Sequence, residues 1–178
     1  GRFDHAEMDS TWQGWHENGH KAYVVEYKSG QKHGQSAHWY ADGKKRLEVY
    51  YQNGLRHGPR KLWDENGVLV VEGGYFDDQR HGPWTYYNRY GKRMRQESYK
   101  KGKKHGDWYE WNDRGELVRE FHYENGLRHG KFVYYYLDGT KKQLTHYKQG
   151  VKHGPEKKWD ANGNLIFQGN YQNGKLAP

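Results

Sequence analysis

Short runs rich in Tyr, Trp, Val and Leu alternate along this chain with clusters of Asp, Asn, Gly, Lys and Arg, and no stretch sustains an apolar period near 3.6 residues. That pattern predicts strands and turns, with little or no helix. The clusters "ADGK", "ENGV", "DRGE", "LDGT" and "ANGN" mark hairpin turns in which Gly supplies a positive φ. A second punctuation returns the chain into the next pair of runs. It reads "NGLRHG" at Asn53–Gly58 and Asn125–Gly130, with near-copies "SGQKHG", "DDQRHG", "KGKKHG" and "QGVKHG".

The punctuation is periodic. His-Gly falls at His33, His57, His81, His105, His129 and His153, one step of 24 residues taken five times. A fixed period of this length signals a repeat architecture. Counting each row from its histidine as position 0, position 6 holds Trp15, Trp39, Trp63, Tyr87, Trp111, Tyr135 and Trp159. Position 10 is always Gly, and position 18 is always Tyr: Tyr27, Tyr51, Tyr75, Tyr99, Tyr123, Tyr147 and Tyr171. Position 21 is Gly except at Asp78. Seven rows span residues 9–176, the first with Asp9 in the histidine position, and residues 1–8 read as an N-terminal extension. With two strands per row, the expected fold is all-β: an elongated single antiparallel sheet, a meander of seven 24-residue β-hairpins.

A three-residue tight loop ending in the Gly of position 10 would set position 6 against position 12. It would pair Trp63 with Leu69, Trp111 with Leu117 and Trp159 with Leu165, and in alternate rows Trp39 with Lys45, Tyr87 with Arg93 and Tyr135 with Lys141. The second set invites cation–π contacts. A two-residue loop would shift the register and break the pairing.

Composition limits the chemistry. Only 33% of the 178 residues are apolar and mean hydropathy is -1.41, values that alone suggest disorder. Eight Trp, 17 Tyr and five Phe argue instead for a chain that folds by packing rings. The absence of Cys excludes disulfides and thiolate metal sites. No apolar run approaches the roughly 20 residues that span a bilayer, so a soluble chain is expected. Because the first residue is Gly1, a removed N-terminal signal is an open alternative, and the compartment is left between bacterial cytoplasm and export.

The unit Y-x-N-G-x-[KR]-H-G-x-x-x-x-[WY]-x-x-x-G-x-L-x-x-E, best seen in the rows of His57, His105 and His153, resembles the MORN repeat in the bacterial variant carried by YwqK-type antitoxin-like proteins. The resemblance covers about 168 of the 178 residues. It implies an elongated antiparallel sheet of consecutive hairpins and an interaction or membrane-associated module, with an antitoxin role as its most specific form. Phosphoinositide binding, proposed for some eukaryotic members with a shorter, Gly-richer unit, transfers poorly. Cell-wall choline- or glucan-binding repeats share the look of "GDWYEWNDRGELV" but lack the basic-His-Gly turn.

The fourteen rings at positions 6 and 18 read as structural aromatics that hold a thin sheet together. Trp12, Trp84, Trp108 and Phe132, at position 3, are less regular and are expected to be exposed partner contacts. Charge adds a second candidate surface, since Lys and Arg outnumber Asp and Glu by 30 to 22. Lys32, Arg56, Arg80, Lys104, Arg128 and Lys152 each precede the histidine and would form an evenly spaced basic edge. The repeat histidines read as turn residues, too far apart to share a metal ion.

No nucleophile motif, P-loop or dinucleotide fingerprint is present, so no catalytic residue, metal or cofactor is assigned and a non-enzyme is expected. Three classes of function remain. The leading one is a scaffold for a protein partner, with an acidic partner and an immunity or antitoxin role as its forms. The others are attachment to an anionic membrane or cell-wall glycan, and end-to-end self-association into filaments. Nucleic acid is disfavoured because the cations are mixed with Asp and Glu.

Overall fold

A computed structural model describes residues 9–178, so the expected N-terminal extension lies outside the described residues. They form an all-β antiparallel meander of seventeen strands without a helix. Two compact units are present. One runs to Gly82 and also holds Arg89–Gly91; the other comprises Pro83–Asn88 and Lys92–Pro178.

In the first unit, β1 (Ser10–Trp15), β2 (Lys21–Lys28), β3 (Gln31–Trp39), β4 (Lys45–Gln52), β5 (Leu55–Trp63), β6 (Leu69–Phe76) and β7 (Gln79–Arg80) each pair with the next. β8 (Gly82–Tyr87) leads into the second unit. There β9 (Arg93–Lys100) pairs with both β10 (Lys103–Lys104) and β11 (Gly106–Trp111). The meander continues through β12 (Leu117–Glu124), β13 (Leu127–Tyr135), β14 (Lys141–Lys148), β15 (Val151–Trp159), β16 (Leu165–Gln172) and β17 (Lys175–Leu176).

The tight turn is the three-residue loop that the register requires. The Tyr40 N–H donates to the Lys44 carbonyl at 2.8 Å and the Gly43 N–H to the Tyr40 carbonyl at 3.0 Å, with Gly43 at φ 87°. This is a β-turn closed by a left-handed glycine. Trp39 consequently pairs with Lys45, Trp63 with Leu69, Trp111 with Leu117, Tyr135 with Lys141 and Trp159 with Leu165.

Position 7 secures this turn in two ways. Where it is Asp64, Asn112 or Asp160, the side-chain oxygen accepts the N–H groups two and four residues on. Where it is His16, Tyr40 or Tyr136, Asn18, Asp42 or Asp138 takes over the turn N–H at position 11. The freed ring then donates to the position-6 carbonyl of the next row, as in Tyr40 Oη to Trp63 O at 2.9 Å and Tyr136 Oη to Trp159 O at 2.9 Å.

In the second turn, Asn53 at φ 50° and Gly54 at φ 83° connect Gln52 to its partner Leu55. Two consecutive left-handed residues identify a type I′ hairpin turn, whose handedness matches the twist of the strands. All seven copies carry a non-glycine residue at φ 47° to 50° in the first of these places, including Ser29, Lys101 and Gln149.

The histidines stand beyond this turn, which corrects their reading as turn residues. Val49 pairs with Arg60 and Tyr51 with Arg56, so His57, Gly58 and Pro59 together oppose Tyr50. The His-Gly pair is a β-bulge inside the strand, and Gly58 at φ 99° supplies the backbone that it demands. The same bulge interrupts strand assignment between β10 and β11, where the His105 N–H donates to Ser98 O at 2.9 Å.

The core is a ladder along the middle of the strands. Position 3 pairs with position 16 of its own row and with position 16 of the row before. In the first unit the line runs Trp12, Val25, Ser36, Val49, Arg60, Gly73. In the second it runs Trp108, Phe121, Phe132, Thr145, Glu156, Gly169. Bulk is balanced across it, with Gly73 opposite Arg60 and Gly169 opposite Glu156. Phe132 is 2% exposed and stacks on Phe121 at 4.8 Å, while the rings of Tyr123 and Tyr147 meet its edges at 5.4 Å and 4.8 Å. Each such ring pair adds about 0.5–1.5 kcal/mol beyond the area it buries.

Two stability tests follow from this geometry. Phe132→Ala should cost about 3 kcal/mol in urea unfolding, because it empties the ladder where no helix can collapse into the gap. Gln149→Asn should raise stability by about 0.5 kcal/mol, because Asn tolerates the left-handed conformation that Gln149 adopts.

Candidate functional site

The residues singled out for binding divide sharply by burial. Trp84, Trp108 and Phe132 are 2%, 8% and 2% exposed, so three of the four position-3 aromatics belong to the core and not to a partner surface. Their variability reflects volume matching across the ladder. Trp108 also donates its indole N–H to Ser98 O at 3.0 Å. Trp12 alone matches the expected exposure, at 52%. The position-18 tyrosines and, apart from Trp15, the position-6 rings are half-buried, whereas Trp15 is 58% exposed.

The cations before the histidines do not stand free as a simple ridge. Lys32 lies over Tyr51 at 5.1 Å, Arg56 over Tyr75 at 4.2 Å and Lys152 over Tyr171 at 4.7 Å from the ring centroid. Lys104 covers both Trp108 at 4.3 Å and Tyr123 at 4.8 Å, and Arg128 covers Phe132 at 5.5 Å and Tyr147 at 5.3 Å. Arg80 ends β7 half-buried. Lys104 and Arg128 thus cover the position-3 rings Trp108 and Phe132, and each ring-seated cation roofs the position-18 tyrosine of its own row, on the strand ahead. Its backbone carbonyl meanwhile accepts the N–H of the next turn: Gly54 to Lys32 at 2.8 Å, Asp78 to Arg56 at 2.9 Å, Gly126 to Lys104 at 2.7 Å, Gly150 to Arg128 at 2.8 Å and Gly174 to Lys152 at 2.8 Å.

The cation–π contacts expected near the tight turns are displaced by one row. Lys45 pairs with Trp39 in register, yet its ammonium lies over Trp63 at 5.7 Å. Lys21 likewise lies over Trp39 at 5.8 Å and Arg93 over Trp111 at 5.4 Å. Lys45 is also held there by the Glu48 carboxylate, 2.6 Å from its ammonium. Among the described residues Lys141 makes no such ring contact.

His33, His57 and His105 face the following turn. His33 Nδ1 accepts the Asn53 N–H at 3.5 Å and His105 Nδ1 the Asn125 N–H at 3.4 Å, both long bonds. His57 Nδ1 instead meets the Asp77 carboxylate at 3.1 Å and stacks on Phe76 at 4.8 Å. Glu124 lies 3.2 Å from His129 Nδ1. The role is local packing between rows. Among the described residues no group of three or more His, Asp or Glu side chains is placed to hold a metal ion. The clefts are shallow; one of ≈ 300 Å³ is lined by Asp107, Glu120, Phe121, His122, Gly130 and Lys131, with His122 Nδ1 2.6 Å from Asp107.

The charges that are internally matched are also visible. Arg56 Nε donates to Asp78 Oδ1 at 2.6 Å, which raises the arginine pKa and lowers that of the aspartate. Glu156, 1% exposed, receives Lys152 at 2.9 Å and Gln143 at 3.0 Å. Burial pushes its carboxyl up, but bonds from Lys152 and Tyr171 outweigh that and leave it below the ordinary 4.5. Burial and the Tyr135 hydroxyl's bond to Glu120, 3.0 Å long, push the phenol up to about 12. His38 is lowered from 6.5 by burial and by Arg46 and Lys32. Sequence reasoning missed this polar core, although the fixed register alone would have set Glu156 against Gly169 and Thr145.

The MORN repeat variant matches residues 32–53, 56–78, 104–125, 128–149 and 152–173, more than half of the chain. The chain belongs to the MORN repeat variant family. The first row and the row of His81 fall outside the match. No curated protein matches the chain. MORN repeats typically serve binding and scaffolding and are a non-catalytic repeat type, in keeping with this arrangement of hairpins.

The buried ionisable groups give a pH profile. A histidine and a carboxyl with depressed folded pKa values both make the unfolded state bind protons first, so stability must fall on acidification. A first loss is expected as pH drops below the ordinary His value of 6.5, from His38, and a second below 4.5, from Glu156. Thermal unfolding of the His38→Gln variant should lack the first step and Glu156→Gln the second; unchanged profiles would refute the assignment.

Proposed function

We propose that this MORN-repeat chain is a non-enzymatic scaffold whose sheet binds a protein partner, and that its cations set the sign of that partner as acidic. The observation that carries this reading is the division of charge in the second unit. Arg95, Arg119 and Lys152 are matched by Glu97, Glu110 and Glu156, whereas Lys104 and Arg128 meet only aromatic and tyrosine groups among the described residues. Cations laid on rings are held in place without being neutralised, which suits them to a complementary surface. The resemblance to antitoxin-like members makes neutralisation of a protein toxin the most specific form of this function.

The test is affinity capture from native cells at low and high ionic strength, with the Lys104→Glu/Arg128→Glu variant as control. One protein in stoichiometric amount, released by salt and by the double variant, is the expected result. Salt-sensitive sedimentation with anionic vesicles and no captured protein would replace this reading with attachment to a charged surface.

A further inference from the structure

Asp78 shows what the basic residue of each row can hold. It is the only non-glycine at position 21, and its N–H docks on the Arg56 carbonyl at 2.9 Å as the glycines dock in other rows. Its carboxylate then turns back onto the same residue, accepting from the Arg56 Nε at 2.6 Å and from the Arg56 N–H at 3.1 Å. The chain thus contains its own example of a carboxylate seated against the residue before a histidine.

Two neighbouring rows repeat the seat without the carboxylate. Gly126 docks on Lys104 at 2.7 Å and Gly150 on Arg128 at 2.8 Å, with φ of 91° and 86° against 62° for Asp78. A Cβ at Gly126 would meet nothing within 4 Å, and one at Gly150 only Leu127 Cδ2 at 3.7 Å. The cations are already positioned. Lys104 rests on Trp108 and Tyr123; Arg128 rests on Phe132 and Tyr147 and donates to the Tyr147 hydroxyl at 3.4 Å. Neither has an ion-pair partner among the described residues, whereas Lys152 in the next row is satisfied by Glu156.

We infer that Lys104 and Arg128 form a paired seat for two carboxylates of an acidic peptide segment, which occupy the places that Asp78 occupies beside Arg56. The rows are two strands apart, about 10 Å. An extended segment in the polyproline-II conformation advances about 3.1 Å per residue and turns once every three residues, so carboxylates three residues apart lie about 9 Å apart on the same side of it. Leu127, 50% exposed beside Gly150, gives the segment an apolar contact between the two charges. This inference rests on the protein-partner reading and names the residues of the partner that matter.

The experiment uses a fluorescent peptide with two Asp three residues apart in an otherwise neutral extended sequence, and its Asn analogue, titrated against the full chain. The Gly126→Asp/Gly150→Asp variant closes both seats from within. Gly126→Asn/Gly150→Asn places the same bulk at the same φ without charge, so the pair separates electrostatic closure from backbone strain. Binding of the Asp peptide, a loss of at least tenfold in the Asp variant, retention in the Asn variant and no binding of the Asn peptide are expected. Equal binding by the two variants, or no binding of the Asp peptide, overturns the seat. Capture of a protein partner that the Asp variant leaves unchanged would also overturn it while sparing the scaffold reading.

Discussion

The rows of His33, His57, His105, His129 and His153 each hang on one backbone hydrogen bond, from the N–H that closes a type I′ turn to the carbonyl of the basic residue before the preceding His-Gly. Among the described residues no helix covers either face of the strands, so burial there comes from neighbours within the meander. The turn-to-carbonyl bond fixes where the next hairpin lies, and the other contacts are then consistent with it. The basic side chain falls over the tyrosine at position 18, and the histidine ring faces the turn that its neighbour has anchored. The middle of one strand meets the middle of the next, closing the ladder of positions 3 and 16. A bulge at His-Gly supports this geometry because it breaks the register on the side of the earlier hairpin while the other side pairs continuously from Gly58 to Leu62.

Periodicity made much of this legible. A 24-residue step, Gly at position 10 and the aromatic at position 6 led to the hairpins and to the pairing that a three-residue loop would give, and the fold decides for that loop over the two-residue alternative. What the sequence concealed was the meaning of variation. Position 3 holds Ser36, Arg60, Trp84, Trp108, Phe132 and Glu156, and such disorder of residue type looks like a surface. In the folded chain Ser36, Trp84, Trp108, Phe132 and Glu156 are buried and Arg60 half-buried, because each occupant answers to the size of its neighbour at position 16 and to no rule shared by all rows. The displacement of Lys45 onto Trp63 was hidden for a related reason. A cross-strand pair identifies backbone neighbours, but a long side chain reaches either of two strands, and Lys21, Lys45 and Arg93 all reach the ring of the next row.

The same distinction separates structural from available charge. A net charge of +8 would suggest a uniformly basic surface, yet Arg56, Lys45 and Lys152 are spent inside the molecule. Matched ions on partly exposed strands contribute little to stability, typically well under 1 kcal/mol when solvent reaches them. Their larger effect is to fix the side chains on the rings beneath. Where the carboxylate is absent, at Lys104 and Arg128, the ring performs that positioning alone and the charge is left to the solvent side. Glycine at position 21 is therefore more than turn geometry: it is compatible with the turn and leaves vacant the place that Asp78 fills.

A repeat that satisfies its own charge in one row and not in the next can vary its binding surface without disturbing its fold. Turn, bulge and tyrosine are fixed by backbone requirements that tolerate few residue types, whereas the carboxylate beside each cation is free to be present or absent. Exchanging Gly for Asp at position 21, or Gly169 and Glu156 for larger and neutral residues along the ladder, alters which cations face outward while the turn-to-carbonyl bond persists. On the proposed scaffold reading, specificity in such an array would reside in the sequence of matched and unmatched rows.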